Sequence, residues 1–160
     1  MTRTYRVKKM NRQEAETYLR WHYPAPYEFY NTPVPFYEES LAEILDNQEG
    51  ELFFAVYLEE SLYGIFSYQL LTDGRMEIGL GIRPDDCGKG QGLEMTQKAI
   101  AFARKFLEFE GKLCLRVADF NLRAIKVYER AGFLRTGEIL AISYNELVNF
   151  IQMELMEEQR

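Results

Sequence analysis

Three glycines occupy alternate positions, Gly88, Gly90 and Gly92, between an apolar segment and a helix-like run. The first turn of a helix has backbone N–H groups without intrahelical partners, and it carries a partial positive charge. Glycines leave these N–H groups uncovered, so a phosphate can reach them, and Lys89 adds a cation nearby. The stretch therefore indicates a diphosphate site, with a plain tight turn as the alternative. It lacks the Gly-Lys-Ser/Thr of a P-loop and the G-x-G-x-x-G spacing of a dinucleotide fingerprint.

A second motif, "NLRAIKVYERAGF", predicts a short helix capped by Asn121 and closed by Gly132. Together with "IRPDDCGKGQG", it resembles the GNAT superfamily of acetyl-CoA-dependent N-acetyltransferases, most strongly over residues 76–134. The resemblance implies an α/β fold with a mixed, largely antiparallel central sheet of about six or seven strands and about four flanking helices. It also implies that the fourth and fifth strands splay apart to hold the cofactor. A nucleotide-binding module unrelated to acetyl transfer is a weaker alternative.

The resemblance places acetyl-CoA, as co-substrate and without a metal, along three segments. The end of the fourth strand would pair with the pantetheine arm, the glycine turn would hold the pyrophosphate, and the later helix would supply an asparagine and a tyrosine. The residues concerned are Leu80, Gly81, Ile82, Gly88, Lys89, Gly90, Gln91, Gly92, Leu93, Asn121 and Tyr128. Cys87 stands where the family usually has Gln or Arg, and a thiol supplies neither a cation nor an amide. The backbone N–H groups survive this change, so we expect binding to persist.

The resemblance also implies direct attack of a primary amine on the thioester. Tyr128 would protonate the departing thiolate, and a backbone N–H near Leu80–Ile82 would stabilise the oxyanion. Simple core packing is the alternative for Tyr128. Glu77 is the candidate base, with an exposed strand carboxylate or a water chain to solvent as alternatives. Some family members carry a carboxylate on the fifth strand, where this chain has Arg116.

The acceptor side is predicted in the aromatic loop "WHYPAPYEFYNTPVPFYEE". Aromatic rings there could enclose an ammonium group, or they could form a small hydrophobic cluster beneath the loop. The candidate substrate-binding residues are Trp21, Tyr27, Glu28 and Tyr30, and the carboxylate suits a cationic amine. His22 is interpreted as structural or surface-exposed.

The periodicity of apolar residues predicts the strands and helices that position these segments. Strands are expected at "TYRVKK", "RMEIGLGI", "KLCLRVADF", "FLRTGEIL" and "NFIQMELM", and a hairpin at "ELFFAVYLEESLYGIFSYQLL" that turns at "EES". A helix should begin after Asn11, which with Glu14 forms a capping box. A short helix is expected at "EESLAEILDN", and a long one from Leu93 to a stop at Gly111.

Bulk properties limit the function. The 160 residues suit a single N-acetyltransferase domain spanning 1–160, with acceptor-side helices and loop in 1–50 and an acetyl-CoA-binding core in 51–160. The net charge of −6 argues against nucleic-acid binding. Cys87, Cys114 and the single histidine have no metal-ligand spacing, and no segment is long enough to span a membrane.

We expect a cytoplasmic enzyme acting on a small-molecule or protein amine, with a homodimer also consistent with the family. The alternative is a degenerate module that binds acetyl-CoA without turnover, as a sensor or interaction protein.

Overall fold

The computed structural model describes residues 4–46 and 50–156. The strands are β1 (Tyr5–Lys9), β2 (Glu51–Leu58), β3 (Ser61–Leu70), β4 (Met76–Ile82), β5 (Leu113–Ala118), β6 (Phe133–Ser143) and β7 (Glu146–Leu155). The α-helices are α1 (Arg12–Leu19), α2 (Tyr37–Leu45), α3 (Gly92–Lys105) and α4 (Leu122–Ala131), and short 3-10 turns occupy Glu28–Tyr30, Val34–Phe36 and Pro84–Asp86. The predicted β2–β3 hairpin is confirmed.

Seven strands form one mixed sheet in the order β1-β2-β3-β4-β5-β7-β6. Pairing is antiparallel between β1 and β2, between β5 and β7, and between β6 and β7, and it is parallel between β4 and β5. The parallel register covers two positions, with Met76 opposite Leu113 and Glu77 opposite Cys114. The predicted mixed sheet of about six or seven strands with about four helices is confirmed.

The chain falls into two compact units. The first comprises Met1–Ser67 with Leu80–Lys89, and the second comprises Tyr68–Gly79 with Gly90–Arg160. The first unit therefore contains α1, α2, the aromatic loop and the end of β4. The second contains the start of β4, both later helices and the last three strands. The strands β3 and β4 contribute residues to each unit.

The core of the first unit forms where α1 and α2 place their apolar residues against β2 and β3. Its buried members are Met10, Ala15, Leu19, Leu41, Ile44, Ala55 and Ile65. The start of α1 is fixed by the predicted capping box, which is confirmed. Glu14 N–H donates to Asn11 Oδ1 at 2.9 Å, and Asn11 N–H donates to Glu14 Oε1 at 2.9 Å.

Glu14 is a buried carboxylate, only 6% exposed, and it accepts more than the cap bond. Lys8 Nζ donates to its Oε1 at 2.7 Å, and the Tyr57 hydroxyl donates to its Oε2. Burial by itself would raise the pKa of Glu14, but the hydrogen bonds from Asn11, Lys8 and Tyr57 outweigh it and lower the pKa below its ordinary value. The cap of α1 is thus joined to β1 and β2 through one charged group.

The end of α3 differs from the prediction. The helix stops at Lys105 and does not continue to Gly111. The Arg104 guanidinium donates to the carbonyl oxygens of Phe109 at 2.8 Å and of Gly111 at 2.7 Å, and Glu108 takes a left-handed φ of 53°. A Cβ on Gly111 would lie 2.7 Å from the Phe109 ring. The glycine therefore admits that ring, and it does not end the helix.

The last two strands were predicted too short. β6 continues to Ser143, and β7 already begins at Glu146. The two strands pair at ten positions, with an irregularity between Arg135 and Gly137. The connection is a two-residue turn in which Tyr144 and Asn145 both have positive φ, 47° and 69°. Two-residue hairpin turns of this kind usually carry Asn-Gly, so Tyr-Asn gave a weak signal.

Replacing Glu14 with Gln should lower the free energy of unfolding by about 2 kcal/mol near pH 7, since a charged hydrogen-bonding partner is lost. A carboxyl group with a lowered folded-state pKa stabilises the protein above its unfolded pKa, near 4.5, and loses that contribution as the pH falls through the folded-state value. The difference between wild type and Glu14→Gln in urea unfolding should therefore shrink below about pH 4.5.

Glu16→Gln is the matched control, because Glu16 lies on the same helix in an exposed pair with Arg12. Its effect should stay within about 0.5 kcal/mol at every pH. Equal effects of the two substitutions, or a Glu14 effect that does not change with pH, would contradict the assignment.

Candidate functional site

The glycine turn contains two left-handed residues and one close helix contact. Gly88 and Gly90 have φ values of 77° and 78°, a conformation that side-chain-bearing residues rarely adopt. A Cβ on Gly90 would meet nothing within 4 Å, so the turn is open there. A Cβ on Gly92 would lie 3.3 Å from both methyl groups of Val127 on α4. The glycines therefore serve two purposes: the first two shape an open turn, and the third brings α3 against α4.

The first turn of α3 follows directly. Gln91 is the N-cap residue, and its side chain makes no capping hydrogen bond. The first intrahelical bond runs from Met95 N–H to the Gln91 carbonyl at 3.1 Å. The N–H groups of the residues between them thus have no intrahelical acceptor, which is the arrangement that binds anions at helix starts. Gly92 and Leu93, two of the predicted cofactor residues, lie in this turn.

The segment before the glycines is organised by Asp86. Its carboxylate accepts from Arg83 Nε at 2.6 Å and lies 3.5 Å from Lys89 Nζ. Burial would raise the pKa of Asp86, but Arg83 and then Lys89 outweigh it and lower that pKa. Lys89, the predicted rim cation, is 58% exposed at its side chain and is held close to the turn by this pair. Arg83 also donates to the Leu62 carbonyl at 3.4 Å, which ties the segment to β3.

Cys87 points back to the end of β4. Its Sγ donates to the Ile82 carbonyl oxygen at 3.3 Å, with the Arg83 carbonyl at 3.6 Å. The thiol at the usual Gln/Arg position thus contacts the backbone of its own segment. It is half-buried and is not part of a disulfide. Burial raises the pKa of the other thiol, Cys114, to about 11, which suppresses its reactivity.

The Ile82 carbonyl accepts a second hydrogen bond, from a residue that the sequence did not predict. The Tyr23 hydroxyl donates to it at 2.8 Å. Leu80, Gly81 and Ile82 were predicted to pair with the cofactor arm through their backbones, and this stays a prediction. One of these groups, the Ile82 carbonyl, is already occupied by two donors. Tyr23 belongs to the aromatic loop, but no spacing distinguishes it from the other tyrosines there.

The predicted acceptor residues separate into two groups. Trp21 packs against the core of the first unit and lies edge-on to Tyr18, with ring centroids 5.5 Å apart. This matches the hydrophobic-cluster alternative. Glu28 and Tyr30 are exposed, and Tyr27 is half-buried. The Tyr30 ring lies edge-on to Tyr23, 6.4 Å between centroids. His22 is exposed, as one of its two interpretations required.

In the second unit, the carboxylate of Glu77 is ion-paired. Arg116 on β5 donates to it twice, from Nε at 3.1 Å and from Nη2 at 3.4 Å. The same guanidinium lies 5.4 Å from the centroid of the Phe150 ring. Glu77 is therefore a partly exposed carboxylate with a competing cation. Its predicted role as base stays a prediction, and it would require this pair to open.

The short register between β4 and β5 leaves main chain unpaired. Beyond Glu77, no residue of β5 is paired with Ile78 or Gly79 in the part of the chain that the structure describes. The other edge of β5 pairs with β7 from Cys114 to Ala118. Free main-chain groups along a strand are ready partners for an amide-rich ligand.

The helix α4 carries the other two predicted residues. The Asn121 side chain accepts from the Ala124 N–H at 3.2 Å, so its predicted N-cap role is confirmed. Gly132 closes the helix with a φ of 109°, also as predicted. Tyr128 is half-buried, and its ring lies edge-on to Phe133 with centroids 6.2 Å apart. The contacts of Asn121 and Tyr128 with a cofactor stay predictions.

Residues 4–46 and 50–156 contain no group of three or more His, Cys, Asp or Glu side chains able to hold a metal ion. Within the same ranges, none of the helices is both long enough and apolar enough to cross a membrane.

Comparison with known proteins identifies a family. Residues 4–134 match the model of the acetyltransferase (GNAT) domain. Two curated relatives, acetyltransferase PseH from two Campylobacter jejuni strains, are 27% and 29% identical over 128 residues, which is 78% of this chain and 80% of theirs.

Solved structures share the fold. One is spermidine N-acetyltransferase from Vibrio cholerae in complex with CoA and spermine, with TM-score 0.74 and 19% identity over 94% of each chain. Another is a chimera of the Vibrio cholerae enzyme SpeG and hSSAT, with TM-score 0.76 and 19% identity over 95% of each chain. A third is a dodecameric form of the Vibrio cholerae enzyme, with TM-score 0.71 and 19% identity over 95% of this chain and 93% of that one.

Proposed function

We propose, since the chain belongs to the GNAT acetyltransferase family, that it transfers an acetyl group from acetyl-CoA to a primary amine. The observation that carries the proposal is the family match across residues 4–134, which includes the β4 end, the glycine turn and α4. Relatives named acetyltransferases and a similar fold solved with CoA and spermine support it. We further propose one catalytic domain over 1–160 and a cytoplasmic location.

The cofactor-binding part of the proposal uses mainly backbone. The turn from Gly88 to Leu93 holds the pyrophosphate of acetyl-CoA, with Lys89 as the nearby cation. Supporting this are the left-handed Gly88 and Gly90, the open space beside Gly90, and the uncapped start of α3. Backbone groups of Leu80–Ile82 pair with the pantetheine arm, and Asn121 contacts it. The bound thioester supplies the activated acetyl carbon.

The proposed reaction is a single transfer. The ammonium group first loses a proton to Glu77 or to water, and the neutral amine nitrogen then attacks the thioester carbonyl carbon and forms the new C–N bond. A backbone N–H near Leu80–Ile82 stabilises the negative charge on the carbonyl oxygen. The C–S bond then breaks, Tyr128 gives its phenolic proton to the leaving thiolate, and the nitrogen loses a proton to Glu77 or to water.

The proposed acceptor is a cationic primary amine, carried by a small molecule or by a protein. Glu28 is exposed in the aromatic loop beside the exposed Tyr30, and the chain has a net charge of −6. Both features favour the approach of a positively charged molecule. Spermidine is a reasonable first probe, because a protein with this fold acetylates it.

A homodimer also belongs to the proposal. β6 is the last strand of the sheet order, and no charged residue occurs from Ile139 to Ser143. Its exposed apolar side chains include Leu140 and Ile142, and Ile142 lies opposite the exposed Leu147 on β7. An uncharged apolar edge strand can pair with its own copy in antiparallel fashion. Sedimentation velocity of wild type and Ile142→Lys tests this; a wild-type monomer would overturn it.

The function is tested by mixing the protein with acetyl-CoA and a panel of amines and following thiol release. The panel contains spermidine, an amino sugar, a peptide with a free N-terminus and a peptide with an internal lysine. Turnover with at least one amine supports the proposal. Calorimetric binding of acetyl-CoA with no turnover anywhere would favour the module that binds without catalysis. Absence of binding would overturn both.

Tyr128→Phe should lower kcat by roughly 10- to 10³-fold, because the leaving thiolate loses its proton donor. The KM for acetyl-CoA should change little, since the ring remains. Glu129→Gln, an exposed neighbour on the same helix, is the control and should keep wild-type kcat. A wild-type kcat for Tyr128→Phe would leave only a packing role for this residue.

Glu77 and Arg116 can be tested against each other. Glu77→Gln should lower kcat roughly 10-fold or more if the carboxylate takes the proton. Arg116→Gln frees the carboxylate from its ion pair and should preserve or raise kcat. Equal losses of activity in both variants would show that the ion pair matters only for structure, and an unchanged Glu77→Gln would leave the proton to water.

A further inference from the structure

The phenol of Tyr23 lies at the end of β4, where the proposed reaction takes place. Its hydroxyl donates to the Ile82 carbonyl at 2.8 Å, across 59 residues of sequence. A Cβ built on Gly81 would lie 3.9 Å from the phenolic oxygen, so this oxygen sits beside the Cα of that partly buried glycine. The backbone from Leu80 to Ile82 is the part of the first unit proposed to stabilise the oxyanion.

The position of Tyr23 does not depend on its hydroxyl alone. The Asn31 side chain binds the Tyr23 backbone in both directions: the Tyr23 N–H donates to Asn31 Oδ1, and Asn31 Nδ2 donates to the Tyr23 carbonyl at 3.1 Å. The ring also lies edge-on to Tyr30. A variant that lacks only the hydroxyl should therefore keep the ring in place.

The Tyr23 phenol is neutral and can accept a hydrogen bond. Burial, with smaller contributions from Tyr18 and Cys87, raises the pKa of Tyr23, so it does not act as a base. A phenol offers one O–H donor and oxygen lone pairs. The donor is used on Ile82, and within residues 4–46 and 50–156 no group donates to the phenolic oxygen. What remains available is an acceptor beside Gly81.

We infer that Tyr23 accepts a hydrogen bond from the acceptor amine and so positions the nucleophile against the end of β4. The inference rests on the proposed function and names a residue of its acceptor site. The chain of hydrogen bonds runs from the amine N–H to the Tyr23 oxygen, and from the Tyr23 O–H to the Ile82 carbonyl. The amine donates a proton it keeps, so its lone pair stays free to attack.

This arrangement selects among amines. A primary amine in its neutral, reactive form can donate one N–H to Tyr23 and still direct its lone pair elsewhere. A tertiary amine in that form has no N–H and gains nothing from the phenol. Removing this hydrogen-bond acceptor should therefore lower kcat/KM for the amine and have little effect on the binding of the cofactor.

Steady-state kinetics with spermidine and n-butylamine test the inference. Tyr23→Phe should lower kcat/KM for the amine by roughly 3- to 10-fold, the effect of one neutral hydrogen bond. The KM for acetyl-CoA should stay within about twofold, since the cofactor does not use the phenol. Tyr68→Phe is the matched control.

Tyr68 is a suitable control because its hydroxyl makes the same kind of bond, to the Ala99 carbonyl at 2.7 Å, and burial raises its pKa too. It lies inside the second unit against α3. Tyr68→Phe should leave kcat/KM for both amines unchanged. Equal kinetics for the two variants would overturn the inference.

A second measurement does not depend on turnover. 3-Fluorotyrosine is placed at position 23, or at position 68 as control, and the ¹⁹F resonance is followed while n-butylamine is added to the coenzyme A-saturated protein. A saturable shift at position 23 with none at position 68 supports the inference. No shift at position 23 overturns it, whatever the activity. Failure of wild type to bind acetyl-CoA would overturn the proposed function instead.

Discussion

The carbonyl oxygen of Ile82 is the atom on which the first unit's site depends. A backbone carbonyl near the end of a strand still needs a hydrogen-bond donor, and here the donors are the side chains of Tyr23 and Cys87. The first belongs to the aromatic loop, and the second begins the glycine turn. One acceptor therefore ties both segments to the end of β4, and the only regular elements between Trp21 and Phe36 or between Arg83 and Gln91 are short 3-10 turns.

Much of the fold could be predicted because its signals are local. The capping box of Asn11 and Glu14 and the helix between Asn121 and Gly132 depend on residues a few positions apart. The end of α3 could not be predicted in this way. It is set by the Arg104 side chain and by a left-handed Glu108, for which no residue type gives a clear signal. Gly111 misled the prediction because glycines also serve close packing.

In the candidate site, too, local features could be predicted and long-range contacts could not. The motifs identified which residues matter, but not what each of them touches. The pair of Glu77 with Arg116 joins residues 39 positions apart, and the bond of Tyr23 to Ile82 spans 59. Such contacts depend on the order of the strands and on the paths of the loops, and the periodicity of the sequence predicts neither. Cys87 shows the same limit: its residue type indicated a missing cation, whereas its position reveals a donor to the end of β4.

The division between backbone and side chain explains why the cofactor is easier to infer than the acceptor. The proposed pyrophosphate site would use backbone N–H groups and requires only that the turn reach its shape, which Gly88 and Gly90 permit through positive φ. Most side chains around that turn can change without removing an N–H. Recognition of the acceptor amine would instead depend on side chains of the aromatic loop, so no glycine pattern of this kind predicts it. Proteins that share this fold at 19% identity therefore need not accept the same amine.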